Sequence, residues 1–180
     1  MAINITTINY SDINMTIFED CFNDSLSYLD ATPPNVVWEE FGLTSGSSEA
    51  LKLDAFKTDL QISNRILYKT DIDGYIVEYA CGVLEHLPPQ RYCALSSLMR
   101  RDSGGSRAWS YTSEYCEKLD AYYKSLSSNE PTSSLWVVAG SSMEDAYNTC
   151  VSEGWLTYTV GETKSDYHGQ TYKKLIVTFS

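Results

Sequence analysis

From Arg65 onward the spacing of apolar residues changes from three-and-four to two, and that switch constrains the fold more than any other feature of the chain. Ile66, Tyr68 and Thr70 alternate with more polar neighbours up to Asp71-Ile72-Asp73-Gly74. Tyr75, Val77, Tyr79, Cys81 and Val83 then alternate on the way back. Alternation on both sides of an Asp-Gly pair predicts an antiparallel hairpin. Pro88-Pro89 ends the return strand, and Arg91 to Leu98 forms a third, with Tyr92, Ala94, Ser96 and Leu98 expected on one face.

Helical spacing governs the flanks. Ile3 to Ile8 reads as a short extended start. Ser11 and Asp12 then supply an N-cap for a stripe of Ile13, Ile17, Phe18, Cys21, Phe22, Leu26 and Leu29, stopped by Thr32-Pro33-Pro34. A Trp-bearing connection and the loop Ser45-Gly46-Ser47-Ser48 lead to a second helix carrying Leu53, Phe56 and Leu60. The loop Met99 to Ser106 is expected to open directly onto a long third helix with Trp109, Thr112, Cys116, Leu119, Tyr123 and Leu126 inward. After a polar turn and the strand Leu135-Trp136-Val137-Val138, Ser141 and Ser142 cap a fourth helix. It is expected to turn Met143, Ala146, Tyr147, Cys150 and Val151 inward and to end at Gly154 as a C′ glycine. Strands Trp155 to Val160 and Thr171 to Phe179 close the chain around a polar turn with Gly161 and Gly169. The order β-α-α-β-β-β-α-β-α-β-β predicts an α/β (α+β) domain, a mixed, mostly antiparallel central sheet of about seven strands flanked by about four helices.

Composition narrows the partners. A chain of 180 residues, 43% hydrophobic and 21% charged, suits one globular domain with a sizeable core. Thirteen Lys and Arg against 24 Asp and Glu give a net charge of −11, which repels a phosphate backbone, so no nucleic-acid partner is expected. The acidity suits solubility, or attraction to amines and basic proteins. No apolar run approaches the length of a membrane helix, and MAINITTINY lacks a basic region followed by an apolar one. The expectation is a cytoplasmic protein, with Cys21, Cys81, Cys93, Cys116 and Cys150 reduced. His86 and His168 are too few and too isolated for a zinc site, so no metal is expected.

The loop Arg101-Asp102-Ser103-Gly104-Gly105-Ser106 carries most of the chemical information. Glycines let a backbone approach a phosphate, and a helix start presents unpaired N–H groups with a partial positive charge. Arg100, Arg101 and Arg107 put three cations beside the loop in an otherwise acidic chain. A Gly-rich turn with solvated arginines would read the same way.

Together with the element order, this loop resembles the Q/R-x-x-G-x-G/A motif of the GCN5-related N-acetyltransferase (GNAT) superfamily, with Ser106 in the final small position. The resemblance spans nearly the whole chain and is strongest from Tyr92 to Trp155. It implies that acetyl-CoA lies between the fourth and fifth strands around Leu98 and Val137. Its pyrophosphate would rest on the amides of Gly104, Gly105 and Ser106, with Arg101 and Arg107 beside it. Those amides must stand free next to a parted pair of strands. The fourth helix is similar to the family's Asn-x-x-Ala-x-x-x-Tyr-x-x-x-Gly-Phe, keeping Ala146, Gly154 and an aromatic at Trp155. Met143 replaces the Asn and Cys150 the Tyr that often protonates the departing thiolate, leaving Cys150 or Tyr147 as stand-ins or as ordinary packing residues. For a general base, Glu78 interrupts an apolar strand, which a solvated sheet face would explain equally well. Glu85, His86, Asp71 and Asp73 lie nearby.

Two roles follow from the resemblance. One is an acetyl-CoA-dependent N-acetyltransferase acting on a small primary amine or a protein amine. The other is a catalytically inactive member of the fold, similar to the small virion-associated protein of T7-like phages, working in host cytoplasm or virion against other virion proteins. Fourteen tyrosines would suit the broad contact surfaces of the second, and an oligomer is compatible with either.

Overall fold

The computed structural model describes residues 2–31, 38, 41–86, 90–126, 132–165 and 171–179. Strand β1 (Ile3–Ile8) leads to helix α1 (Met15–Ala31) and helix α2 (Glu49–Leu60). Three strands follow, β2 (Ile66–Ile72), β3 (Tyr75–Leu84) and β4 (Tyr92–Met99). Helix α3 (Ser113–Leu126), strand β5 (Thr132–Val138), helix α4 (Ser142–Ser152) and strands β6 (Leu156–Ser165) and β7 (Thr171–Phe179) complete the chain. The seven strands form one sheet in the order β1-β2-β3-β4-β5-β7-β6. All neighbours are antiparallel except β4 and β5. Element order and mixed sheet agree with the sequence reading.

The hairpin turn is tighter than expected. Asp73 and Gly74 alone make it, at φ 51° and 87°, so that β2 runs on through Ile72. Two positive φ values in succession define the turn type that matches strand twist, and Asp-Gly supplies it at little cost.

Helix starts are corrected in two places. Ser11 and Asp12 belong to a 3-10 turn, Tyr10–Asp12, whose Asp12 Oδ2 accepts from the Asn9 amide at 3.0 Å. The cap of α1 is Asn14, whose Oδ1 accepts from the Ile17 amide at 3.2 Å. The loop after β4 enters a second 3-10 turn, Ala108–Tyr111, and α3 begins only at Ser113, with Thr112 Oγ1 accepting from the Tyr115 amide at 3.2 Å. At the other end of α4, Gly154 takes φ 77°, Trp155 N–H donates to Cys150 O and Gly154 N–H to Val151 O, both at 3.0 Å. That is the expected glycine stop. Val151, expected inward, is 39% exposed. Gly161, expected in a turn, sits within β6 where the β6–β7 register slips between Val160 and Thr163. The Thr32-Pro33-Pro34 stop, Pro88-Pro89, Gly169, His168 and the Met143 side chain lie outside the described residues.

The sheet is buried on both faces. On one, Phe18 and Phe22 of α1, Trp38 from between the helices, and Phe56 and Leu60 of α2 pack against Leu67, Tyr79, Cys81 and Leu98. On the other, α3 and α4 cover Tyr68, Val77, Ala80, Tyr92, Val137, Leu175 and Val177. Val77 therefore faces away from Tyr79 and Cys81, and Tyr92 away from Leu98, against the simple alternation expected. The cause is a bulge in each strand. Thr70 pairs Glu78 and Asp71 pairs Ile76, which leaves Val77 as an extra residue. Cys81 pairs Ser96 and Gly82 pairs Ala94, which leaves Leu95 as another. An inserted residue switches the face taken by every residue beyond it. Among the described residues, Tyr68, Tyr79, Tyr92, Tyr115, Tyr122 and Tyr123 are buried in the two cores and so are not available as a contact surface, while Tyr75 is 37% exposed.

Candidate functional site

The parallel pair at the sheet centre comes apart. β4 and β5 are matched only at Tyr92–Ser133, Cys93–Ser134 and Ala94–Leu135. Past that point β4 stays on β3 to Met99, while β5 stays on β7 to Val138. The bulge at Leu95 falls where the strands part, leaving Leu95 43% exposed. Across from it, Gly82 is obligatory. A Cβ there would collide with the Tyr92 ring and the Cys93 carbonyl. The splayed strands required by the resemblance are therefore present.

Free amides are not. Asp102 Oδ1 accepts from Gly104 N–H at 3.0 Å and Ser106 N–H at 2.9 Å, and Asp102 O accepts from Gly105 N–H at 2.9 Å. The expectation that these three amides stand open is corrected: the loop's own carboxylate sits where an anion would. Short side chains such as Asp bond backbone amides a few residues on, and Gly105 at φ 82° permits the curl.

The arginines are also engaged. Arg100 Nε donates to Ile76 O at 2.7 Å and its Nη1 to Asp20 at 3.1 Å, beneath the Tyr75 ring at 4.3 Å. Arg101 Nη1 donates to Gly105 O at 3.1 Å, and its amide donates to Asp24 at 3.0 Å. Arg107 Nη2 donates to Met99 O at 2.5 Å and Asp24 O at 2.9 Å. Against the three cations stand Asp20, Asp24 and Asp102, so the local excess of positive charge read in the sequence is cancelled once α1 packs beside the loop. Sequence reasoning missed Asp20 and Asp24, which lie far from the loop along the chain; only α1's register brings them there. Trp109 fixes the loop from below, its Nε1 donating to Arg100 O at 3.2 Å while its ring meets Tyr115 edge-on.

Beneath the splay lies Glu78, wholly buried and not on a solvated face. Its Oε1 accepts from Thr70 Oγ1 at 2.6 Å and from Tyr115 Oη at 3.0 Å, and its Oε2 from Ser97 Oγ at 2.5 Å. Burial pushes its carboxyl above the usual range, while Ser97, Thr70 and Tyr115 pull it back only in part. Ser97 stands on β4 beyond its last contact with β5 and is half-buried, linking the carboxylate to the splay. Sequence alternation gave no sign of Thr70, Ser97 and Tyr115 converging.

The remaining predicted residues are scattered. Leu98 is buried on the face opposite Val137, among the α1 and α2 residues. Val137 packs on the α3 and α4 side. Cys150 is buried in the same core cluster as Cys116. Tyr147 is half-buried one turn earlier, its hydroxyl pushed up by burial and by Cys150, Cys116 and Glu78. Glu85 accepts from Ser134 and pairs with Lys174. Asp71 closes the hairpin by accepting from Gly74 N–H, and Asp73 accepts from Ala2 N–H. Among the described residues, no group of His, Cys, Asp and Glu could hold a metal, and no helix is long and apolar enough to cross a membrane.

A seven-stranded sheet with one parallel pair, parted past a bulge, a loop and helix following the parted strand, and helices on both faces define the GNAT fold. Solved structures bear this out. The chain is similar to a ribosomal-protein-S5-alanine acetyltransferase from Vibrio fischeri, at 9% identity and TM-score 0.59, over 100% of this chain and 94% of that one. It is similar to a GNAT-family protein from Desulfovibrio desulfuricans at 6% identity and TM-score 0.55, over 99% and 100%. A ribosomal L7/L12 alpha-N-protein acetyltransferase, solved with coenzyme A, superposes with TM-score 0.59 at 8% identity, over 99% and 95%. No family profile and no curated protein matches the sequence.

Proposed function

We propose that this chain is a GNAT-fold protein that has given up acetyl transfer and works by binding, as its resemblance to the virion-associated protein of T7-like phages implies, with other virion proteins as its partners. The observation that carries this is the Asp102 carboxylate seated on the Gly104 and Ser106 amides. A phosphate displacing it would gain no backbone bonds beyond those already made. Three free amides at about 1 kcal/mol each would offer about 3 kcal/mol, and forfeiting that costs roughly 100-fold in affinity. Asp20 and Asp24 beside the arginines add repulsion to the loss. Cys150, in the place of the family's proton-donating Tyr, is a buried core residue. Calorimetry tests the proposal: acetyl-CoA and desulfo-CoA are expected to give no binding heat at millimolar concentration. Saturable heat with micromolar affinity, or acetyl transfer to any amine, overturns it.

A second role, an acetyl-CoA-dependent N-acetyltransferase, draws support from the parted β4 and β5 and from Glu78 lying beneath them behind Ser97. In that enzyme Asp102 must leave the loop before CoA enters, acyl-CoA is the cofactor, and the acceptor is a primary amine whose proton travels toward Glu78. Positioning of the amine against the thioester would supply most of the rate.

A further inference from the structure

Ser97 and Ser134 each donate to a carboxylate, Ser97 Oγ to Glu78 Oε2 at 2.5 Å and Ser134 Oγ to Glu85 Oε1 at 2.8 Å. The two pairs are not equivalent. Ser134 is wholly buried where β5 is still matched to β4. Although burial pushes its partner Glu85 up, Lys174 and Ser134 hold that carboxyl below the usual range, which makes it a poor proton acceptor. Ser97 is half-buried and stands on β4 beyond the last residue matched to β5. Its partner Glu78 is pushed up by burial, and Thr70 and Tyr115 fix the carboxylate from the other side by donating to Oε1 at 2.6 and 3.0 Å. Of the three hydroxyls on Glu78, those of Thr70 and Tyr115 are buried, so Ser97 alone faces outward. A hydroxyl within hydrogen-bond reach of a base that other groups orient is the arrangement that activates a nucleophile.

The backbone supplies a second element. Arg100 N–H donates to Val77 O at 2.8 Å, and the β3–β4 register pairs Met99 with Glu78 and Ser97 with Ala80. In an antiparallel ladder that bond makes both pairs the kind that exchange no hydrogen bonds with each other. The Ser97 N–H therefore points away from β3, toward the side that β5 has left. There it can receive the negative oxygen of a tetrahedral adduct on its own side chain.

We propose that Ser97 is a nucleophile, activated by Glu78, that is acylated by small activated esters and thioesters. Ser97 Oγ attacks the acyl carbon while its proton passes to Glu78 Oε2 and the carbonyl electron pair moves onto oxygen. The adduct collapses, the carbonyl re-forms and the bond to the leaving oxygen or sulfur breaks. The leaving group takes the proton from Glu78 and departs as an alcohol or thiol, leaving an ester at Ser97. Neither the Gly104–Ser106 amides nor an amine takes part, so the reaction is independent of CoA binding at the loop.

Treatment of the whole protein with p-nitrophenyl acetate tests the pair. A burst of about one equivalent of p-nitrophenolate is expected, with a gain of about 42 Da that peptide mapping places at Ser97 and hydroxylamine removes. Acetyl groups on lysines resist hydroxylamine and are told apart by that step. Ser97→Ala is expected to lose the labile acetyl group, and Glu78→Gln to form it about 100-fold more slowly. Wild-type protein unfolded in urea is expected to lose the burst as well, which tests activation by the fold even where a variant does not fold. An unmodified Ser97, equal labelling of Ser134, a burst that survives unfolding, or wild-type rates in Glu78→Gln would overturn the proposal.

Discussion

Asp102 and Glu78 are both carboxylates near the end of β4, and they do opposite things. Asp102 lies past the strand, half-buried, and holds backbone amides that water could hold instead. Glu78 lies beneath the strand, wholly buried, and is the acceptor for three hydroxyls, of which Thr70 and Tyr115 are buried and Ser97 half-buried. The first governs what the loop can bind and adds little to stability. The second is written into the core, where removing one partner leaves the others unsatisfied at full cost. Charge near a site therefore says little until its burial and its partners are known.

The sharpest way to break this contrast is Glu78→Ala, which strands Thr70, Ser97 and Tyr115. It should cost about 3–5 kcal/mol in chemical denaturation, in the range seen when a buried polar network loses its centre. A cost below about 1 kcal/mol would mean that the cluster is wet. Glu78→Gln keeps an acceptor and removes the titration. Because the folded state raises this carboxyl above its unfolded value, the wild-type contribution is complete at low pH and is lost as pH rises through the folded value. The neutral amide of the variant suffers no such loss, so the deficit of Glu78→Gln should shrink as pH is raised from about 4 upward, read from paired denaturation curves.

Next in size stands Gly82→Ala. The new methyl meets the Tyr92 ring and the Cys93 carbonyl at the bulge that parts β4 from β5, so a loss of about 1–3 kcal/mol is expected by thermal or chemical denaturation. A neutral substitution would show that the bulge is not rigid. Asp102→Ala should be the mildest, about 0.5–1 kcal/mol of stability, as for loss of a cap at an exposed site. Yet it alone should create binding heat with acetyl-CoA.

Much of the architecture was legible in the chain. The period change at Arg65 and the Asp-Gly turn fixed the central hairpin, and the stripes of α1, α3 and α4 fell where helices stand. Faces were less legible, because a period count assumes one residue per step. The extra residues Val77 and Leu95 reversed the assignments of Val77, Tyr92 and Leu98, while Glu78 keeps the face opposite Tyr79 and is buried because α3 and α4 cover it. The loop was recognisable by its glycines and arginines, but its state was not. Asp102 was in plain view within the motif, while Asp20 and Asp24 came from a helix far away in sequence, so local composition overstated the positive charge.

The most direct test of the central claim is a 15N–1H spectrum of the Gly104 and Ser106 amides during titration with acetyl-CoA. Both resonances should stay fixed in the wild-type protein, carrying the signature of a carboxylate acceptor, and should move in Asp102→Ala. If they shift and saturate in the wild-type protein, the carboxylate does not hold the loop, and the site is open to a thioester.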